Sequence, residues 1–301
     1  MISDNSNRSA LIGRRQALGL LAALAVAWDA KAAPRPSRIA AIDWAMLETL
    51  MALGVTPIAA TELLQFRSDA VEPQIPSSVV DLGLRGSPNF ELLHLLKPEL
   101  ILISPFYVRH QPALEAIAPV YALPFYVQGE PPYAKALNAV SQLGDLLGRT
   151  DAAAKELADQ EALLAGLRQQ LVPFAARPTY IINIGDSRHF RAFGADSMFG
   201  DILQRLGLPN AWTDRSRFTF AAPVPMENLA ANPEARIVIV SDIPVEARSS
   251  LRDSMIWKSL KPVKEGRVVN IGNINPYGGI TAGLRFARLL SEALVKGGET
   301  L

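Results

Sequence analysis

The sequence predicts an α/β protein of two Rossmann-like lobes, joined by one long rigid helix, with a ligand cleft between the lobes. Three observations predict this fold class. Residues 151–171 have the pattern of one uninterrupted helix, the segments on either side of it repeat one order of elements, and the expected strands are continuous apolar runs. We therefore expect an N-terminal lobe at residues 33–150, a linking helix at residues 151–172 and a C-terminal lobe at residues 173–301.

The linking helix is predicted from the spacing of its leucines and from the residues at its ends. Thr150 and Asp151 offer N-cap side chains, and Pro173 prevents the helix from continuing. At ~1.5 Å per residue the segment makes a strut of roughly 30 Å, about the diameter of a small domain. Taken alone it would equally fit an ordinary surface helix, but the repeat around it favours a connector. The leucines that share one face are Leu157, Leu164, Leu167 and Leu171.

The two halves of the chain share two turns in the same order. A Leu-Gly turn followed by proline ends the first helix of each half, at residues 53–57 and 206–209. A Pro-Glu turn, at residues 97–99 and 232–234, then leads from a second helix into an apolar strand. Agreement of both turns predicts that each half is an α/β lobe with parallel strands. The strands expected from the repeat are residues 38–42, 100–104, 179–184 and 236–241.

Composition excludes several classes of function. The 301 residues are 49% hydrophobic and 20% charged, enough for a substantial core in one or two domains. A net charge of +1 gives no reason to expect nucleic acid as a partner. The chain has no cysteine, which excludes disulfides, thiolate metal sites and a cysteine nucleophile.

The N-terminus has the order of a signal peptide. Arg14 and Arg15 precede the apolar residues 17–28, and Ala30 to Ala32 end the segment with small residues around a lysine. The apolar run is shorter than the roughly 20 residues that span a bilayer, so a cleaved leader at residues 1–32 is favoured over an anchor. We expect export to the periplasm, with the adjacent arginines compatible with the twin-arginine route.

No catalytic motif is present. The sequence lacks a Gly-x-Ser-x-Gly elbow, a glycine-rich phosphate loop and a His-Glu-x-x-His pair. His94, His110 and His189 are scattered without metal-ligand spacing. A binding protein is therefore favoured, and an enzyme on a similar two-lobed scaffold stays open as an alternative.

The loops expected at the cleft are rich in aromatic residues and arginine. Apolar walls with a few cations suit a bulky ligand that carries exposed oxygens. For each aromatic residue the alternative is core packing, and for each arginine it is an ordinary surface position. The candidate ligand contacts are Trp44, Phe66, Arg85, Phe106, Tyr107, Arg191, Phe218, Phe220 and Tyr277.

Several stretches along the whole mature chain carry a resemblance to a known family. They include Ile-Asp-Trp at residues 42–44, Asp-Leu-Gly-Leu-Arg at 81–85 and the Pro-Asn-Phe-Glu-Leu-Leu segment at 88–93. In the second half they include Asp-Ser-Arg-His at 186–189 and Pro-Asn-Ala-Trp at 209–212. With these stretches the chain resembles the periplasmic ferric-hydroxamate siderophore-binding proteins of the FhuD type, which have the class III periplasmic binding protein fold.

The resemblance implies a function and a set of roles. It implies that Arg85 and Tyr107 bond the hydroxamate oxygens around an iron held by its chelator, while Tyr277 packs against the chelator. The protein then supplies no metal ligand and needs no cofactor. It also implies that Glu91 and Glu227 dock a monomeric protein onto an inner-membrane ABC permease with its ATPase. A haem- or corrinoid-binding protein of the same fold stays open as an alternative.

The chain departs from the family where the best-known members have tryptophans. Asn275, which we include among the ligand contacts, is one such position, and Phe66, Phe106 and Phe220 are expected to restore part of the aromatic surface. Arg191, near Arg188 in sequence, predicts a carboxylate-bearing siderophore of the aerobactin or schizokinen kind over neutral ferrichrome. The alternative is that Arg191 faces solvent. The other substituted positions are Asp69, Ile103 and Thr219, and the other cations expected at the cleft are Arg215 and Arg217.

Overall fold

The computed structural model describes residues 35–214 and 221–297, so the predicted leader at residues 1–32 lies outside the described residues. The described residues form two sheets, and the strands of the first are β1 Ile39–Ala41, β2 Ala59–Ala60, β3 Val80–Asp81, β4 Leu100–Ile103 and β5 Val120–Ala122. These five strands are parallel and lie in the order β3-β2-β1-β4-β5. The helices of this part are α1 Trp44–Ala52, α2 Leu63–Asp69, α3 Phe90–Leu96, α4 Gln111–Glu115, α5 Tyr133–Leu147 and a 3-10 helix at Pro105–His110.

The linking helix α6, Thr150–Leu171, is continuous over 22 residues, as predicted. Leu164, Leu167 and Leu171 are buried on one face, and Leu157 is half-buried. The expectation of a side-chain N-cap at Thr150 or Asp151 is wrong. Arg149 occupies the N-cap position without a side-chain bond, because the helix already includes Thr150 and Asp151 in its first turn.

The second sheet of the described residues has five strands, β6 Thr179–Ile184, β7 His189–Ala192, β8 Ala221–Pro225, β9 Arg236–Ile239 and β10 Val268–Asn270. Their order in the sheet is β10-β9-β6-β7-β8. The two strands predicted in this half, β6 and β9, pair in parallel as expected, whereas β7, which was not predicted, is antiparallel to both β6 and β8. Only residues 185–188 connect β6 to β7, and a parallel connection needs a dozen residues or more. The helices are α7 Met198–Arg205, α8 Val245–Asp253, α9 Met255–Ser259, α10 Lys261–Lys264, α11 Ile280–Lys296 and 3-10 helices at Val172–Phe174 and Met226–Ala231.

The repeat predicted from the sequence is visible in the strand pairing. β1 pairs with β4 in the first sheet, and β6 pairs with β9 in the second, both in parallel. Gly54 and Gly207, in the two matching turns, have left-handed φ values of 69° and 78°. The second repeated helix differs between the halves, because α3 is an α-helix and its counterpart at Met226–Ala231 is a 3-10 helix.

The C-terminal helix α11 crosses the predicted division into lobes. It packs against α6 and α7 and also against α1 of the first half. Phe286 and Leu290 of α11 belong to the same buried core as Leu47 and Leu50 of α1. The bounds of the lobes at residues 150 and 173 therefore stay a prediction. Among the described residues, no helix combines the length and the apolar character needed to cross a membrane.

Candidate ligand-binding site

A cavity of about 340 Å³ opens where the five parallel strands of the first sheet end. Loops at the carboxyl ends of parallel strands meet at one edge of a sheet, which is where open α/β folds bind ligands. Each of the five strands is followed by at least one residue that lines the cavity, and Tyr277 joins them from the loop after β10. The lining residues are Asp43, Trp44, Glu62, Arg85, Gly86, Phe106, Tyr107, Tyr126 and Tyr277.

Arg85 is held by two neighbours. Its Nε donates to Glu62 Oε2 at 2.5 Å, and its backbone N–H donates to Glu62 Oε1 at 3.0 Å. Its Cζ lies 3.7 Å from the centroid of the Trp44 ring. The guanidinium is therefore fixed by an ion pair on one side and by a cation–π contact on an aromatic face.

Trp44 is itself fixed from behind. Its Nε1 donates to the Thr61 carbonyl oxygen at 2.9 Å, and Phe66 meets it edge-on with the ring centroids 5.1 Å apart. Phe66 is completely buried and does not line the cavity. The aromatic floor beneath Arg85 is thus rigid, and Phe66 supports it from the core.

Asp43 provides the polar base of the cavity. Its carboxylate caps α1 by accepting from the N–H groups of Ala45 at 2.7 Å and Met46 at 3.2 Å. The Ser104 hydroxyl donates to its other oxygen at 2.7 Å. Burial raises the pKa of Asp43 above its usual value, against the opposing effect of these hydrogen bonds and of the Arg85 charge.

Three tyrosines complete the wall. Burial, with a smaller contribution from Asp43, raises the pKa of Tyr107 to about 12, so its hydroxyl stays protonated near neutral pH. The Tyr126 hydroxyl donates to the Gly278 carbonyl oxygen at 2.6 Å. Tyr277 meets Tyr126 edge-on, with centroids 5.5 Å apart, and Phe106 with centroids 6.2 Å apart. The second half of the chain therefore closes the cavity through an aromatic contact.

Behind this wall the buried carboxyl group of Glu48 joins the two halves. Glu48 of α1 accepts from Asn275 Nδ2 at 2.8 Å, and from the N–H groups of Gly279 at 2.8 Å and Ala282 at 3.2 Å at the start of α11. Burial raises the pKa of Glu48 to about 8, although these donors lower it. A Cβ at Gly278 would lie 2.6 Å from both Glu48 oxygens, so only glycine fits there.

The structure brings together half of the predicted ligand contacts. Trp44, Arg85, Phe106, Tyr107 and Tyr277 line the cavity. Phe66 lies behind Trp44, and Asn275 is buried with its amide on Glu48, so neither side chain lines the described cavity. Phe218 and Phe220, with Thr219, Arg215 and Arg217, lie outside the described residues.

Three predicted positions lie away from this cavity. Arg191 was expected on a cleft loop, but it lies in strand β7 with an exposed side chain, because the chain turns back after residue 188. Glu91 is exposed in the first turn of α3, and Glu227 is exposed in the first turn of its 3-10 helix. Their docking role stays a prediction.

Sequence reasoning missed Glu62 and Tyr126. The two-residue strand β2 is too short to recognise from an apolar pattern, and Glu62 follows it with a left-handed φ of 51°. Tyr126 follows β5, another strand that was not predicted. One signal was available in the sequence. Asp43 follows the predicted strand β1, and the residues that follow the other parallel strands of this sheet line the same cavity.

Comparison with known proteins places the chain in a family. The sequence profile of the family described as periplasmic binding protein matches residues 39–274. The iron(3+)-hydroxamate-binding protein FhuD of Escherichia coli (strain K12) is 31% identical over 288 residues, covering 94% of this chain and 97% of that protein.

Solved structures share the fold. The siderophore-binding protein FhuD from Vibrio cholerae, bound to Fe3+-Desferal, superposes with a TM-score of 0.81 at 24% identity, covering 87% of this chain and 99% of that one. FhuD2 from Staphylococcus aureus with bound ferrioxamine B gives a TM-score of 0.69 at 21% identity, with coverages of 87% and 99%. This fold is the expected class III arrangement of two α/β lobes and a long connecting helix.

The family consists of binding proteins, which agrees with the prediction that the chain is not an enzyme. The chain belongs to the periplasmic binding protein family, and within it the chain is similar to the iron-hydroxamate-binding protein FhuD.

Proposed function

We propose that the protein captures a ferric siderophore of the hydroxamate type in the periplasm and delivers it to an inner-membrane ABC permease with its ATPase. The observation that carries this proposal is the Arg85 guanidinium, fixed over Trp44 and beside Tyr107 in an aromatic cavity. It rests further on the 31% identical relative, which is named for binding iron(3+)-hydroxamate.

The cavity chemistry suits an iron that arrives inside its chelator. Among the described residues, no group of three His, Cys, Asp or Glu side chains could hold a metal ion. Hydroxamate oxygens around Fe3+ carry negative charge, and a guanidinium offers several donors in a fixed plane. The protonated Tyr107 hydroxyl adds a donor, while Trp44, Phe106 and Tyr277 provide apolar surface for the organic part of the chelator.

The proposal is tested by ligand titration followed through tryptophan emission. Because Trp44 lies under Arg85 at the cavity, its fluorescence reports a ligand bound there. We expect saturable quenching by a ferric trihydroxamate, and weaker or no quenching by haemin and cobalamin. Saturable quenching by haemin or cobalamin alone would replace this proposal with the haem- or corrinoid-binding alternative.

Arg85→Ala should weaken binding of the ferric trihydroxamate at least about tenfold, since a hydrogen bond to a charged group contributes ~1.5–3 kcal/mol. Arg67→Ala, which removes an exposed arginine from α2 in the same half, is the matched control and should bind like wild type. The assignment is wrong if Arg85→Ala keeps wild-type affinity while its circular dichroism spectrum remains native.

A further inference from the structure

The ion pair between Glu62 and Arg85 lies in the wall of the cavity. Both side chains are partly accessible, with 27% of Arg85 and 17% of Glu62 exposed. The described cavity thus carries one guanidinium and two carboxylates, those of Glu62 and Asp43. Asp43 is committed to the N-terminus of α1 and to Ser104, which leaves Glu62 as the carboxylate paired with the ligand-facing cation.

Glu62 is built into this position. It occupies the N-cap of α2, yet its side chain makes no cap bond; Asp81 instead accepts from the Leu63 N–H at 2.9 Å. The Glu62 backbone has a left-handed conformation, which is costly for a residue with a Cβ. Its N–H donates to the Gly83 carbonyl oxygen at 2.8 Å. Both carboxylate oxygens are therefore turned toward the residue at position 85.

The pairing has a consequence for ligand charge. The Glu62 carboxylate already neutralises Arg85 and occupies its Nε and backbone N–H. An anionic group on the chelator would meet this carboxylate within a partly desolvated cavity, whereas a cationic group would be attracted by it. The arginine at position 191, on which the expectation of an anionic chelator depended, lies in β7 and does not line the cavity.

We propose that Glu62 is a specificity-determining residue, which makes the site prefer ferric hydroxamates of neutral or positive charge over anionic ones. This proposal rests on the proposed function and names the class of siderophore within it. It reverses the charge preference predicted from the sequence.

A matched series of ligands tests the proposal. The ferric complex of desferrioxamine B carries a pendant ammonium, its N-acetylated form is neutral, and its N-succinylated form carries a carboxylate, while the iron centre stays the same. With wild-type protein we expect the cationic complex to bind about tenfold more tightly than the anionic one, and the neutral complex to fall between them. The difference should shrink between ~50 mM and ~500 mM salt, because the Debye length shortens.

Glu62→Gln keeps the shape of the side chain and removes its charge. We expect it to reduce the cationic-to-anionic affinity ratio about tenfold, whereas Glu62→Asp should keep the order of the three ligands. Glu115→Gln removes the same charge from an exposed position in the same half and should leave the ratio unchanged. Melting of each variant by circular dichroism checks that it is folded.

Three results would overturn the proposal. One is tightest binding of the anionic complex by wild type, and another is an unchanged ratio in Glu62→Gln. An equal loss of affinity for all three ligands in Glu62→Gln would show that Glu62 only positions Arg85. Failure of all three complexes to bind wild type is a different outcome, since it would reject the proposed function and the charge preference with it.

Discussion

The two sheets of this protein contribute unequally to the described cavity. Every strand of the first sheet is parallel, and each is followed by a cavity residue, from Asp43 after β1 to Tyr126 after β5. In the second sheet β7 is antiparallel to its neighbours. This sheet contributes Tyr277, from the loop after β10, to the described cavity. Parallel strands gather the loops that follow them at one edge of a sheet, whereas an antiparallel strand sends its following loop to the opposite edge.

The halves are nevertheless joined directly behind the cavity. Glu48 and Tyr126 of the first half bond the backbone at residues 278–282, and Glu72 forms ion pairs with Arg285 at 2.7 Å and Arg288 at 2.5 Å on α11. The linking helix is thus not the sole connection between the halves in the described part of the chain, because α11 and the loop before it also bond the first half. We expect the two halves to move little relative to each other in consequence.

The largest expected effect is on iron uptake, through the predicted docking of one glutamate from each half onto the permease. If Glu91 and Glu227 dock the two halves onto the permease, the double variant Glu91→Lys with Glu227→Lys should abolish iron uptake. Ligand affinity should stay at the wild-type value, because both glutamates are exposed and lie away from the cavity. Exposed charges of this kind set the rate and register with which two proteins associate. Uptake of radiolabelled iron by cells, together with the fluorescence titration, measures both quantities.

The control for docking is a second pair of exposed glutamates, one per half. Glu115→Lys with Glu246→Lys changes the net charge by the same amount at positions outside the predicted docking sites. Normal uptake by the Glu91 and Glu227 double variant, or equal loss in the control pair, would reject the docking role.

The next effect concerns Glu48, where the halves meet. Glu48→Ala removes the acceptor of three donors, two of them backbone N–H groups at the start of α11. Buried donors left without partners are costly, so we expect the free energy of unfolding to fall by ~3 kcal/mol or more. Denaturant unfolding of the variant and of wild type gives this difference directly.

The pH dependence of this difference identifies the carboxyl group. The pKa of Glu48 in the folded protein is about 8, above the ordinary value of 4.5. Between pH 4.5 and about pH 8, Glu48 therefore keeps its proton in the folded protein and has released it in the unfolded chain. The stability of wild type relative to Glu48→Gln should therefore fall as pH rises from about 5 to 8, by at most ~1.4 kcal/mol per pH unit. Parallel stability profiles of the two proteins would contradict the raised pKa.

The sequence predicted those parts of the fold that depend on local pattern. The apolar runs of β4, β6 and β9 and the leucine spacing of α6 could be read directly. The two-residue strands β2 and β3 could not, since they exist only through their pairing with β1 and with each other. Arg85 was predicted first from the aromatic and arginine-rich loops expected at the cleft, and its role toward hydroxamate oxygens came from the resemblance to a family.

The missed contacts depend on partners far apart in the chain. Glu62 is 23 residues from Arg85, and Glu48 is 227 residues from Asn275. No local pattern marks either pair, and an asparagine bonded to a buried carboxyl group looks in sequence like one that faces a cleft. The net charge of the cavity therefore could not be predicted from the sequence, even though Arg85 was predicted as its cation.

The smallest effect tests the asymmetry of the two halves at the cavity. Tyr277 contributes ring contacts to Phe106 and Tyr126 and no formal charge, so Tyr277→Ala should weaken ligand binding only about threefold to tenfold, the ~0.5–1.5 kcal/mol of an aromatic contact. Tyr277→Phe keeps the ring and should stay close to wild type in the same fluorescence titration. A loss in Tyr277→Ala as large as that in Arg85→Ala would show that the second half carries an equal share of the affinity. In that case the parallel edge of the first sheet would position the ligand without dominating its binding.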